Sequence, residues 1–213
     1  KQFPEEAIGG VLGWMTGTLV LKELTQQVER STSRIADLVN AVKAYSYEGR
    51  APLQEVDIHE GLESTLTMLS HKLKGVTLVR EYDRSLPPIP AYGNELNQVW
   101  TNLIDNAIDA VNGRGEVRIR TRREDHHLLV EIHDAGSGIP KEVRPHLFEP
   151  FFTTKGVGKG TGLGLIISYR FVTDRHKGEI DFESEPGHTM FLVRLPMTRK
   201  PPVASSEPST GRA

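Results

Sequence analysis

Four clusters of residues in this chain have types and spacing that could do chemistry. The first lies in Asn94 to Asn112, N-E-L-N-Q-V-W-T-N-L-I-D-N-A-I-D-A-V-N. At helical spacing Leu96, Val99, Leu103, Ala107 and Val111 make an apolar stripe. Gln98, Asn102, Asp105, Asn106 and Asp109 fall mainly on the other side. Asparagine competes for backbone hydrogen bonds and is a poor helix former. Asn102 and Asn106, one turn apart mid-helix, therefore point to a user of their amides other than water. The second cluster is His133-Asp134-Ala135-Gly136-Ser137-Gly138-Ile139-Pro140, directly after a strand. Gly136 and Gly138 permit tight turns, and the Asp134 carboxylate can accept from an exocyclic amine such as that of adenine. The third is Leu147-Phe148-Glu149-Pro150-Phe151-Phe152-Thr153-Thr154-Lys155, a loop with a greasy side and a phosphate-seeking side. The fourth, Gly158-Lys159-Gly160-Thr161-Gly162-Leu163-Gly164-Leu165, opens a helix. Glycine-rich backbone there is an anion cradle, because free N–H groups and the helix dipole both face the anion. Alone, each cluster also reads blandly, as a solvated face, a turn, a core aromatic or a flexible loop. Their order and gaps carry the signal.

These clusters need elements to position them. Asn112-Gly113 stops the first helix. Glu116 to Arg122, with Val117, Ile119 and Thr121 alternating against Arg118, Arg120 and Arg122, reads as a half-buried strand. Leu128 to His133 is another, with a turn at Glu124-Asp125 between them. Gly178 to Glu183 and Met190 to Leu195 are joined by a Glu185-Pro186-Gly187 turn. Val76 to Tyr82 alternates like a strand, and Leu86-Pro87-Pro88-Ile89-Pro90 cannot be helix or central strand. Upstream, Val56-Asp57-Ile58-His59-Glu60 starts a helix. Asp57 is its N-cap, with Glu60 at capping-box spacing and a stripe of Leu62, Leu66, Leu69 and Leu73. Strands in hairpins mixed with helices predict an α+β fold, a two-layer α/β sandwich with a mixed sheet and helices on one face. A long coiled-coil or bundle helix precedes it. Leu21, Leu24, Val28, Ser31, Ile35, Leu38, Val42 and Tyr45 recur at steps of three and four, a seam that reads as self-association. The expected division is a helical dimerisation region at 1–50, a catalytic domain at 51–199 and a disordered tail at 200–213.

Composition narrows the partners. The chain has 213 residues, 37% hydrophobic and 25% charged, with a net charge of −2. There is no strong basic field, so nucleic acid is not the default partner. There are no cysteines, which excludes disulfides and thiolate chemistry and fits a cytoplasmic compartment. No apolar run approaches the ~20 residues that span a bilayer. The first residue is Lys, so the chain reads as a piece of a longer protein.

Taken together the clusters resemble the ATP-binding domain shared by sensor histidine kinases, type II topoisomerases, the heat-shock chaperone ATPase and mismatch-repair ATPases. The details are similar to the histidine-kinase branch. N-L-I-D-N-A resembles its N box, D-A-G-S-G-I-P its first glycine box, F-E-P-F-F-T-T-K its aromatic box and G-T-G-L-G-L its second glycine box. The resemblance covers about residues 57–197. It extends weakly to Ser33-Arg34-Ile35-Ala36-Asp37-Leu38-Val39, similar to the second dimerisation helix.

The resemblance implies roles. Asn106 would hold Mg²⁺ on the ATP phosphates, with Asn102 close by, and Asn102 and Lys155 would be the catalytic residues. Asp134 would take the adenine amine, with Gly136, Gly138 and Ile139 around the base and Thr189 supporting it through water. Phe148 and Phe152 would anchor a lid whose Thr153, Thr154 and Lys155 meet the nucleotide. Gly160, Thr161, Gly162, Leu163, Gly164 and Leu165 would wrap the phosphates. The implied partners are a second copy of the chain and a response-regulator receiver domain.

Two positions depart from the family pattern. Asp109 stands where many relatives carry a basic residue, leaving phosphate charge to Lys155, Lys159 or metal. No helical histidine followed by an acid, with a proline a few residues on, the phosphoacceptor pattern, is read in the chain. His59-Glu60 comes nearest, but Gly61 and the lack of a following proline argue against it, and His133 reads as strand. The resemblance thus implies a kinase whose acceptor histidine lies elsewhere. The alternatives are a nucleotide-binding scaffold, or an ATPase made slow because Asn102 replaces the acid that activates water.

Overall fold

The computed structural model describes residues 14–25, 27, 28, 31, 32, 53–156 and 160–198. The chain divides into two compact units, Ala51–Ile139 with Tyr169–Ala213, and Lys1–Arg50 with Pro140–Ser168.

In the first of these, the long amidic helix is the central element. It runs Gly93–Ala110 and is called α3 here. The stripe read from the sequence is buried throughout, from Leu96 and Val99 to Val111. The buried arc is wider than that stripe, because Trp100, Ile104 and Ile108 are buried as well. The cause is two-sided packing: α3 lies against helix α2 (Ile58–Met68) and against strand β5 (His127–Asp134). Gly61 of α2 marks the tightest approach. A Cβ there would come within 2.6 Å of Asn97 Oδ1 and 3.5 Å of Trp100 Nε1. At its end α3 is stopped as expected, since Asn112 and Gly113 both take positive φ, 50° and 71°. The helix α2 is capped by Asp57, which accepts from the His59 N–H at 2.8 Å. The bond goes to the second helical residue rather than to Glu60. Val56 belongs to a short strand ahead of the helix.

That strand, β1 (Gln54–Val56), pairs antiparallel with β3 (Ile89–Ala91) in a ribbon of its own. Pro90 is tolerated there, where no central ladder needs its missing N–H. The main sheet has five strands in the order β2-β4-β5-β7-β6. The new strands are β2 (Val76–Tyr82), β4 (Gly115–Glu124), β6 (Glu179–Glu185) and β7 (His188–Pro196). The three pairings among β4, β5, β7 and β6 are antiparallel, and β2 runs parallel to β4. The sheet is therefore mixed, but a purely hairpin reading misplaces β2. The turn between β4 and β5 falls at Asp125-His126 rather than Glu124-Asp125, with Asp125 at φ 52°.

One face of the sheet carries Val117, Ile119, Thr121, Leu128, Val130, Ile132, Phe191, Val193 and Leu195, all buried. The other face is an ion-pair lattice. Arg122 reaches Glu131 at 2.7 Å and Glu124 at 2.8 Å, Arg194 reaches Glu124 at 2.7 Å, and Arg118 reaches Glu81 at 3.0 Å. Glu131 is buried. Burial pushes its carboxyl up, and hydrogen bonds from Arg122 and His133 outweigh this and hold it below the ordinary range.

In the other unit, residues 14–25, 27, 28, 31 and 32 are helical (α1). The seam positions Leu21, Leu24 and Val28 are 66%, 52% and 64% exposed in the isolated chain. The remaining seam residues Ile35, Leu38, Val42 and Tyr45 lie outside the described residues, as do Lys159 and the tail from Lys200. The second glycine cluster leads into helix α4 (Gly164–Arg170), which continues as a π-helical turn, Phe171–Arg175. No helix among the described residues is long and apolar enough to cross a membrane.

Candidate functional site

One cluster of predicted residues is built at the end of β5. Asp134 is its last residue, buried, and one carboxylate oxygen accepts from the Gly136 N–H at 2.9 Å. The second oxygen takes no donor among the described residues. Burial is the main influence on this carboxyl and raises its pKa, while the Gly136 bond and the nearby His188 and His133 pull it back. Such a group is a strong acceptor held ready for a ligand donor.

Register fixes what lies beside it. Asp134 pairs with Thr189 of β7, and Thr189 with Ser184 of β6. Cross-strand partners share a face at about 5 Å between Cβ atoms. Three polar residues therefore stand in one row across the sheet, each buried. The glycine loop after β5 is fitted to its neighbours. A Cβ on Gly136 would sit 2.7 Å from Ala110 of α3. A Cβ on Gly138, at φ +77°, would sit 2.7 Å from the Glu185 carbonyl oxygen. Asn102, Asn106 and Ala110 follow at intervals of four, so the two amides share a row with the residue against which the loop packs. Asn102 and Asn106 are half-buried. The structure thus brings together Asp134, Gly136, Gly138, Ile139 and Thr189, with the asparagine row leading to them. Ser184 escapes a reading of the sequence alone. Only its place before the legible Glu185-Pro186-Gly187 turn hints at it.

A separate cluster of predicted residues lies in the other unit. Gly162, at φ +67°, accepts from the Phe151 N–H at 2.9 Å through its carbonyl. A Cβ there would lie 2.3 Å from the Phe151 carbonyl carbon, so the glycine cluster and the aromatic loop pack backbone to backbone. A Cβ on Gly160 would lie 2.8 Å from the Thr153 hydroxyl and 3.4 Å from the lysine stem of Lys155. Thr153 Oγ1 also accepts from the Lys155 N–H at 3.2 Å. The predicted residues Thr153, Lys155, Gly160 and Gly162 are therefore neighbours. Thr161 is half-buried and Leu163 is buried just before α4, and Gly164 and Leu165 are the first two residues of that helix. Phe148 and Phe152 are half-buried, and the Phe152 ring lies 5.4 Å from that of His146. Thr154 is exposed. So is Phe151, whose φ is 67°.

Residues 92–199 match the family model for histidine kinase-, DNA gyrase B-, and HSP90-like ATPases. The chain belongs to this ATPase family. Among its relatives in the family is the sensory histidine kinase/phosphatase NtrB of Rhodobacter capsulatus. That protein is 35% identical over 197 residues, which cover 84% of this chain and 53% of NtrB. The NtrB of Rhizobium leguminosarum is 34% identical over 209 residues, covering 89% of this chain and 54% of that one. This ATPase-family chain thus spans about half the length of the curated relatives it matches. Among solved structures, the catalytic domain of histidine kinase ThkA is 28% identical with a TM-score of 0.64, covering 70% of this chain and all of that one. ThkA in complex with response regulator protein TrrA matches with a TM-score of 0.69 at 26% identity, over 90% of this chain and 57% of ThkA. The α+β expectation holds, and within the ATPase family these similarities lie with histidine kinases.

Proposed function

We propose that this chain is the catalytic region of a protein-histidine kinase. It binds Mg-ATP and moves the γ-phosphoryl group to a histidine, from which a receiver-domain aspartate takes it. The observation that carries the reading is Asp134, a buried carboxylate with one oxygen on the Gly136 N–H and the other open, in a row with the Thr189 hydroxyl. An acceptor next to a hydroxyl suits the amine-bearing edge of adenine. The names of the relatives support the transfer to histidine.

The roles follow from the chemistry of each group. Asp134 accepts from the adenine amine. Gly136, Gly138 and Ile139 let backbone approach the base, and Thr189 supports its far side. Lys155 and the N–H groups of Gly160 to Leu165 neutralise and orient phosphate, with Thr153 and Thr154 as further donors and Phe148 and Phe152 shielding the nucleotide. Phosphoryl transfer needs this positioning and neutralisation more than covalent help. Asn106 offers an amide oxygen, a hard ligand of the sort Mg²⁺ takes, and the ion would complete its shell from phosphate and water. When bound it would supply charge neutralisation at the phosphates. Asn102, an amide, has no basicity to deprotonate water, which favours a protein nucleophile over hydrolysis. Of the chain's histidines, His59 and His176 are buried. His59 hydrogen-bonds Thr121 at 2.9 Å, and His176 accepts from the Tyr92 N–H at 3.0 Å. Neither is presented to a phosphoryl donor.

The test is acid-labile labelling from γ-labelled ATP, using this chain together with the helical segment that bears the acceptor. Label on histidine is the expected result; intact ATP binding without label would sink the kinase reading. Asn106→Ala is expected to weaken Mg-ATP binding about tenfold in calorimetry and to leave metal-free ATP binding nearly unchanged. Equal losses with and without metal would remove Asn106 from the ion. The α1 seam is read as a homodimer contact, to be checked by light scattering; a monomer at high concentration would end that part of the proposal.

A further inference from the structure

Ser184 is a buried hydroxyl that none of the roles above employs. It lies in β6, an edge strand of the main sheet, 50 positions after Asp134 in the chain (184 − 134). Two hydrogen bonds meet at its oxygen. The Ile139 N–H donates to Ser184 Oγ at 2.8 Å, and Ser184 Oγ shares a bond of 2.9 Å with Thr189 Oγ1. Ile139 ends the glycine loop that starts at Asp134. Ser184 therefore touches both the far end of that loop and the hydroxyl standing opposite the carboxylate.

Two further ties join the same pieces. The Gly187 N–H donates to the Gly136 carbonyl at 2.9 Å. Gly138 has its α-carbon so close to the Glu185-Pro186 backbone that a Cβ would fall 2.7 to 3.0 Å from three of its atoms. The β6–β7 hairpin thus grips the glycine loop at Gly136, Gly138 and Ile139. The first tie is made by backbone, and the second needs the absence of a Cβ at Gly138. The third depends on one side chain. Without it the Ile139 N–H loses a buried acceptor, and the Thr189 hydroxyl loses the partner that fixes its rotamer.

We propose that Ser184 is a positioning residue for base recognition, acting through Thr189 and Ile139 to hold a hydroxyl and the glycine loop in register with the Asp134 carboxylate. This rests on the reading of Asp134 and Thr189 as the base-binding pair. Adenine offers an amine donor beside a ring acceptor. Guanine offers a carbonyl acceptor beside a ring N–H, the reverse order. A carboxylate accepts only, so a hydroxyl fixed beside it sharpens the difference between the two bases. A hydroxyl free to swing lets a wrong edge adapt.

The experiment measures ATP and GTP affinity by calorimetry for the full chain and for Ser184→Ala, Ser184→Thr, Thr189→Val and the Ser184→Ala/Thr189→Val double variant. Ser184→Ala is expected to weaken ATP about five- to tenfold, the scale of one lost neutral hydrogen bond, and to weaken GTP less, so that the ATP-to-GTP ratio shrinks. Ser184→Thr, which restores the hydroxyl, is expected to recover most of that ratio. The double variant is expected to bind ATP within about twofold of Thr189→Val, because residues acting as one unit are not additive. Ser184→Cys, near in volume with a weakly hydrogen-bonding thiol, serves the same comparison should the alanine variant not fold. Equal losses for ATP and GTP, or additive effects in the double variant, would make Ser184 merely structural and overturn the proposal. An unaltered chain that binds no ATP would remove the base-binding reading itself, and the proposal with it.

Discussion

Asp134→Asn is expected to weaken ATP binding on the order of a hundredfold while the chain stays folded. Asp134 has two acceptor oxygens, and the proposed complex uses both: one on the Gly136 N–H at 2.9 Å, the other on the adenine amine. Asparagine has one acceptor and one donor group. Whichever way its amide turns, either the Gly136 N–H or the amine meets an NH₂ instead of an oxygen. A lost charge-assisted bond costs about 1.5–3 kcal/mol and an unpaired buried donor about 1–3 kcal/mol. About 2.8 kcal/mol of this is a hundredfold in affinity. Calorimetry with ATP, alongside a melting curve of the free variant, checks it. Full affinity in a folded variant would remove Asp134 from the base site.

The same carboxyl gives the binding a pH signature. Its folded-state pKa is raised, by burial first. For folding, its contribution is therefore fully present below its unfolded pKa and is lost as pH rises through the folded one. Ionised Asp134 is a cost to the free protein. For ATP the sign is the reverse, because the amine needs the ionised acceptor. Affinity is expected to fall as pH drops through the raised value, starting above the range near 4 where ordinary aspartates protonate. Asp134→Asn has no such step.

Trp100→Ala is expected to cost about 3–5 kcal/mol of stability. Trp100 is fully buried in α3, a helix that packs on both α2 and β5, and its indole faces Gly61 of α2. Its removal leaves a cavity that two rigid neighbours cannot both collapse into. In a domain of this size the melting temperature falls by roughly 10 °C, read by calorimetric scanning. The indole Nε1 has no hydrogen-bond partner among the described residues, so the loss is one of packing and burial. A drop under 1 kcal/mol would mean that α2 does not press on α3 at this point.

The helix that carries both asparagines was legible because its period is regular over 18 residues. Trp100, Ile104 and Ile108 were not, because a single stripe describes a helix with one neighbour and α3 has two. The strands β4, β5, β6 and β7 showed as alternation with turn residues between them. The parallel partner of β4 did not show, since β2 alternates like any strand and nothing local records direction. Among site residues, Asp134, Gly136 and Gly138 declared themselves by type and spacing within five residues. Ser184 meets Thr189 across the legible Glu185-Pro186-Gly187 turn, but it reaches Ile139 only through a loop return that leaves no mark in the local sequence.

The register that aligns Asp134 with Thr189 joins positions 55 residues apart (189 − 134). Closing so long a separation costs chain entropy before any contact repays it, which places this pairing among the slow events of folding. The β6–β7 hairpin closes over a two-residue turn and needs no such search. In refolding, then, the strands that frame the base site form by fast local steps. The carboxylate–hydroxyl pair itself exists only once β5 and β7 have zipped. Nucleotide binding during refolding would accordingly report completion of the sheet rather than the appearance of its strands.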